Sequence, residues 1–167
     1  VPAAWAEATE QLRPVPKLGR EKTIKMVESI MEPVNRMAGD SLPVSVFLDH
    51  ADGTFELGAS AYEKRGVALM VPAWNAKKCI QCNNCAMACP HAAIRPFALT
   101  EEEAAGAPAK ARIMDMKAIR VMEYYRYSLA ISPMDCMGCG ICAGKCPAGA
   151  LSMMPRETQM DEQVVFD

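Results

Sequence analysis

Histidine is scarce in this chain: His50 and His91 are the only two in 167 residues. With so few, the spacing supports no Ser, His and Asp constellation for nucleophilic catalysis. The glycine patterns of a phosphate loop or a dinucleotide fold do not occur. A secretory signal peptide and long apolar runs are also lacking, so the chain is expected neither to be secreted nor to span a membrane by its own sequence. Charges are mixed, 18 Lys and Arg against 20 Asp and Glu, with no basic stripe. A nucleic-acid partner is therefore not expected. Substrate chemistry has little to build on. No cysteine lies outside two short runs, and those runs carry the strongest signal.

The runs are Cys79-x2-Cys82-x2-Cys85-x3-Cys89-Pro90 and Cys136-x2-Cys139-x2-Cys142-x3-Cys146-Pro147, and they hold all eight cysteines. This is the ligand run of bacterial iron–sulfur proteins, and two copies predict two [4Fe–4S] clusters and one-electron transfer. A cubane has four iron corners. Three closely spaced cysteines reach three corners from one loop, and the fourth, after a longer step, ligates the other cluster in two-cluster proteins. The expected sets are Cys79, Cys82, Cys85 and Cys146 for one cluster, and Cys136, Cys139, Cys142 and Cys89 for the other. Such an exchange couples metal binding to folding. Each following proline lacks an N–H and suits a helix stop at the ligand. The flanks repeat as well: Ala86 matches Ala143, Ala93 matches Ala150, and Ile94 matches Leu151. Between the second and third cysteines stand Asn83 and Gly140, the residue types most at ease with positive φ. A left-handed residue is predicted at both. Three other readings compete on the same cysteines: structural zinc, a disulfide framework, or one cluster beside an empty site.

Free thiols and oxygen-sensitive clusters point to a reducing cytoplasm. The formal charge of −2 falls to about −6 when two oxidised clusters with their thiolates are counted. The chain is longer than two cluster loops require. Residues 1–40 read as a helical connector, 41–74 as a hairpin and strand linker, 75–155 as the two-cluster domain with an insertion over 97–131, and 156–167 as a C-terminal extension. The proline-bearing start, without an initiator methionine, and the final Val164-Val165-Phe166 suggest a piece of something larger.

Within these segments, Ile24, Val27, Met31 and Val34 recur at helical spacing, predicting a helix over Arg20 to Ala38. Pro33 is expected to end or kink it, and Gly39-Asp40 to close it. Alternating Val44, Val46 and Leu48 before Asp52-Gly53 predict a hairpin, and Val67 to Val71 a strand. Thr100 and Glu103 form a capping box, placing a short helix from Glu101 that Gly106 and Pro108 stop. Lys110 to Arg120 fits neither period. Tyr125, Tyr127, Leu129 and Ile131 alternate as a strand that Pro133 ends.

Lesser features have bland readings. His91 is read as a surface histidine rather than a cluster-tuning one, and His50 as a solvated loop residue. Lys77, Lys78 and Lys145 beside the ligands read as solvated surface. Met87, Met137, Met153 and Met154 read as adaptable filler around the clusters, and Tyr124, Tyr125 and Tyr127 as strand residues.

The segments Leu42-Pro43-Val44-Ser45, Asp52-Gly53-Thr54-Phe55, Tyr62-Glu63-Lys64-Arg65-Gly66, Cys89-Pro90-His91-Ala92-Ala93-Ile94-Arg95-Pro96-Phe97 and Ser132-Pro133-Met134-Asp135-Cys136 resemble the ferredoxin-like region of pyruvate:ferredoxin (flavodoxin) oxidoreductase. The resemblance runs from about Glu32 to Met154. It implies a cytoplasmic enzyme of anaerobic metabolism that oxidises pyruvate with thiamine diphosphate, Mg and coenzyme A. The two clusters would carry electrons from a proximal cluster beside the thiamine to an external ferredoxin or flavodoxin. This chain has cysteines for the two clusters only and shows no thiamine-binding segment, so no catalytic residue is expected in it. The fold expected is α+β, a bacterial two-cluster ferredoxin-like core with a long insertion and an N-terminal connector. The alternatives are a free-standing two-cluster ferredoxin that diffuses between enzymes, and a protein whose clusters only brace the fold.

Overall fold

The computed structural model describes residues 20–117 and 122–167. Residues 1–19 of the expected connector, and residues 118–121, which include the end of the ambiguous stretch, lie outside the described residues. The chain divides into two compact units at Lys64 and Arg65. That boundary falls inside the linker expected over 41–74.

In the first unit, helix α1 (Glu21–Met26) runs through a π turn (Val27–Met31) into α2 (Glu32–Asn35). The Glu32 N–H bonds the Val27 carbonyl, the five-residue step that defines the wider turn. Pro33 does not stop the helix. It falls in the first turn of α2, where a missing N–H is tolerated. The buried face is Thr23, Met26, Val27 and Ile30, while Val34 is exposed, so the apolar stripe is turned from the expected one. Gly39 does not close the helix either. Met37, left-handed at φ 61°, donates to the Val34 carbonyl and Ala38 to that of Pro33, the paired bonds of a Schellman cap.

The hairpin expected near Val44 is absent among the described residues. Val44–His50 is 3-10 helical, with the Val46 N–H closed on the Pro43 carbonyl at 3.0 Å. This unit offers no described strand to pair with, so the backbone satisfies itself locally. Val46 and Phe47 pack on the helix with Ala59 and Tyr62, leaving Val44 and Leu48 exposed. Asp52 and Gly53 do turn the chain, with Asp52 Oδ1 accepting from the Thr54 N–H at 3.0 Å. His50 is half-buried rather than solvated, stacked on Phe55 at 4.6 Å.

The second unit is α+β and internally repeated. Strand β1 (Met70–Trp74), helix α3 (Asn84–Met87) and β2 (Ile94–Leu99) form one half. Strand β4 (Arg126–Ile131), helix α5 (Ile141–Gly144) and β5 (Leu151–Pro155) form the other. Between them lie α4 (Glu101–Gly106) and the short β3 (Met114–Asp115). Strands pair across the halves. β1 runs antiparallel to β5, with Trp74 opposite Leu151, and β2 to β4, with Ile94 opposite Ile131. β3 adds to the far edge of β4.

The capping box is present, with Glu103 N–H on Thr100 Oγ1 and Thr100 N–H on Glu103 Oε2. The strand expected at Val67 to Val71 starts at Met70 instead. Of the three tyrosines, only Tyr127 lies in a strand; Tyr124 and Tyr125 belong to the turn before it.

The segment expected as an insertion over 97–131 begins and ends in paired strand, so its margins belong to the sheet. The C-terminal residues are no loose extension. Helix α6 (Glu162–Phe166) buries Gln163 and Phe166, and Gln163 Oε1 accepts the Met134 N–H at 3.2 Å. Arg112 grips Glu162, and Lys110 pairs with Asp161. No helix of the described residues is long and apolar enough to cross a membrane.

Candidate metal centres

The core of the second unit is built around its cysteines. Trp74, Ile94, Tyr127, Leu129, Ile131, Cys142, Ala150 and Leu151 are buried together, and Cys79, Cys85 and Cys146 pack against them. Two cavities open beside this core. One is lined by Cys79, Cys82, Cys85 and Cys146 with Trp74, Tyr127 and Leu129 among its walls. The other is lined by Cys89, Cys136, Cys139 and Cys142 with Pro72, Ile94 and Met153. Each cavity thus gathers three cysteines of one run and the last cysteine of the other.

The backbone around the two cavities is duplicated. Each run turns through three left-handed residues: Gln81, Asn83 and Ala92 in the first, Gly138, Gly140 and Gly149 in the second. Asn83 has φ 60° and Gly140 φ 73°, as their residue types predict. These turns aim N–H groups at sulfur. Gln81 donates to Cys79 Sγ at 3.4 Å and Gly138 to Cys136 Sγ at 3.3 Å. Ala93 donates to Cys89 Sγ at 3.3 Å and Ala150 to Cys146 Sγ at 3.2 Å. Outside the loops, the Asn75 N–H bonds the Ala150 carbonyl and the Ser132 N–H that of Ala93, both at 2.8 Å. Each first strand is thereby fastened to the opposite half.

Burial pushes the Cys85 and Cys136 thiols up and takes that of Cys142 to about 11. A bare thiolate is disfavoured in such a place, and bound iron supplies the compensating charge. Four sulfurs around a mainly apolar cavity, with N–H donors already on some of them, fit a cubane that needs one thiolate per iron.

The first half carries ties that the second lacks. Gln81 Nε2 donates to the Asp115 carbonyl at 2.8 Å, and its Oε1 accepts the Lys117 N–H at 2.7 Å. Lys117 Nζ reaches the Cys79 carbonyl at 2.9 Å. Tyr127 donates its hydroxyl to Asn83 Oδ1 at 2.8 Å, and burial raises its pKa, keeping it protonated. Residue spacing within one run does not reveal these side-chain partners. The left-handed Gln81 and Ala92 were within reach, because aligning the two runs sets them opposite Gly138 and Gly149.

The remaining candidates are peripheral. His91 is exposed at the edge of the cavity lined by Cys136, and Lys77, Lys78 and Lys145 are exposed. Met137 and Met153 line that cavity, but Met87 and Met154 face outward and are not filler.

Residues 78–150 match the family model of the 4Fe-4S dicluster domain. Residues 14–68 match the EKR domain, a domain of unknown function. The chain is 48% identical over 164 residues to a pyruvate-flavodoxin oxidoreductase of Enterobacter agglomerans, covering 97% of this chain and 13% of that protein. It is 44% identical to the pyruvate-flavodoxin oxidoreductase of Klebsiella pneumoniae, covering all of this chain and 14% of that protein. A pyruvate:ferredoxin oxidoreductase of Moorella thermoacetica is 40% identical over 93% of the chain and 13% of its own length. The chain is homologous to one segment of the pyruvate-flavodoxin and pyruvate:ferredoxin oxidoreductases. It spans roughly one-seventh of the length of these relatives. Its eight cysteines, in a dicluster domain, provide for two [4Fe–4S] clusters.

Proposed function

We propose that the chain is the electron relay of a pyruvate oxidoreductase, carrying electrons from a thiamine-dependent pyruvate site outside it to an external ferredoxin or flavodoxin. Cys79, Cys82, Cys85 and Cys146 hold one cluster, and Cys136, Cys139, Cys142 and Cys89 the other. Bound clusters supply reversible one-electron exchange. The chain's own residues position them and set their surroundings. Burial among Trp74, Leu129, Ile94 and Pro72 opposes added negative charge, while the four N–H donors on cysteine sulfur favour it. The observation that carries this reading is the mixed lining of each cavity, three cysteines from one run and one from the other.

In this reading thiamine diphosphate, Mg and coenzyme A belong to the rest of the enzyme, and its remaining domains or subunits are the chain's first partners. The enzyme works in the reducing cytoplasm, apart from membrane and nucleic acid. Residues 97–131 are an insertion that extends β2 and β4, residues 1–40 a connector, 41–74 a linker, and 156–167 an extension folded onto the 75–155 domain. A diffusible ferredoxin is the weaker reading, because both units of this chain recur together within much longer oxidoreductases.

Anaerobically prepared intact protein is expected to hold about eight irons per chain. Cys82→Ala and Cys146→Ala should each erase the same low-potential paramagnetic signal, while Cys139→Ala and Cys89→Ala erase the other. Loss of the Cys139 signal in Cys146→Ala would refute the crossed ligation. Far fewer irons, or zinc in their place, would sink the relay.

A further inference from the structure

Trp74 is 5% exposed, and its Nε1 is the one buried side-chain nitrogen or oxygen among the described residues without a hydrogen-bond partner. Buried indole N–H groups ordinarily find an acceptor, since an orphan donor costs about 1–3 kcal/mol. The ring forms part of the wall of the cavity that holds Cys79, Cys82, Cys85 and Cys146. The other polar groups in that wall are engaged elsewhere. Tyr127 donates its hydroxyl to Asn83 Oδ1, and the Tyr127 ring meets the indole edge-on at 6.3 Å between centroids. Four cysteine sulfurs stand in the same wall as acceptors.

The matching position of the opposite half carries no such donor. Trp74 is the last residue of β1, five before Cys79; the matching last residue of β4, five before Cys136, is Ile131. The backbone donors to cysteine sulfur come in matched pairs, Gln81 with Gly138 and Ala93 with Ala150. They act alike on both centres, so the indole is an unmatched donor between them.

We propose that the Trp74 indole N–H donates a hydrogen bond to a sulfur of the cluster held by Cys79, Cys82, Cys85 and Cys146, raising that cluster's reduction potential. The inference rests on the crossed ligand sets proposed above. A donor on sulfur stabilises the reduced, more negative cluster over the oxidised one. Trp74 therefore acts as a positioning and tuning residue, touching the cofactor without exchanging electrons itself.

The test is Trp74→Phe in the intact, cluster-loaded protein, titrated electrochemically with paramagnetic detection of both centres. One midpoint should fall by about tenfold in its reduction equilibrium, about 59 mV for one electron, while the other holds. Two unmoved midpoints, or an equal fall of both, would overturn the bond. Should that variant fail to assemble, Trp5→Phe protein with 15N-labelled indole leaves Trp74 as its only tryptophan. Pulsed paramagnetic spectra should then show one 15N coupling and one deuteron acquired in heavy water at a single centre; their absence overturns the proposal. Iron content measured alongside separates the ideas. About eight irons with no indole coupling sinks the hydrogen bond and leaves the ligand sets standing.

Discussion

The two cluster-bearing halves reach one backbone through different residues. At three matched left-handed positions the second half has glycine, while the first has Gln81, Asn83 and Ala92. Glycine at 138 answers to packing as well as to φ. A Cβ there would lie 3.1 Å from the Met70 carbonyl oxygen and 3.3 Å from the Ala68 Cβ. Gly140 and Gly149 have open space around them, so only their φ of 73° and 56° favours glycine. In the first half the left-handed strain accompanies side chains in use. Gln81 clamps the backbone on both sides of Met116, and Asn83 receives the Tyr127 hydroxyl. Ala92 has no such side-chain role, and we have no physical account of its choice over glycine. The shape of a cluster loop is thus common to both halves, and its residues answer to what lies next to it.

Exchanging residues between the halves should break this comparison most sharply. Gly138→Gln, which installs the first half's residue in the second, combines a strained φ with a tight contact to the Met70 carbonyl and should cost about 3 kcal/mol. A large fall in Tm, with loss of the Cys136 cluster first, would check it; unchanged stability would mean that the loop yields. Next, Gln163→Ala should cost about 2 kcal/mol, because it strands the buried Met134 N–H just before the second run. Its Tm and the iron retained at the Cys136 centre are the measurements. Gln81→Ala should cost about 1 kcal/mol. Faster hydrogen exchange at Lys117, with none of that change at Gly138, would show that the tie belongs to the first half alone. The smallest effect is a gain. Ala92→Gly removes a left-handed alanine and should raise stability by up to about 1 kcal/mol.

Regular spacing made much of the cluster domain legible. Both runs, the φ of Asn83 and Gly140, the Thr100 capping box and the strand ending at Ile131 depend on neighbours a few residues away, and they appear as expected. The first unit was misread where local pattern had to stand for a missing partner. Val44, Val46 and Leu48 alternate like a strand, yet without another strand among that unit's described residues their backbone closes as a 3-10 helix. Pro33 marks a helix stop by rule, yet a π turn before it lets the chain run on. The C-terminal residues were undervalued for a similar reason. Buried Gln163 and Phe166, with ion pairs at Asp161 and Glu162, anchor them, and no periodicity reports such contacts.

Cysteine number and spacing alone determined the metal chemistry of this chain, because a cubane's demand for four thiolates leaves a covalent rhythm that no other use of cysteine reproduces as well. Only the tertiary structure decided how the halves interlock: β1 on β5, β2 on β4, and each cavity borrowing a thiol from the far run. It also brought an unpartnered indole at the end of β1 to one cavity, while the matching end of β4 is an isoleucine. Ligand chemistry is written in short-range spacing. The environment that distinguishes two like clusters comes from residues distant in the chain, which meet only when the strands pair.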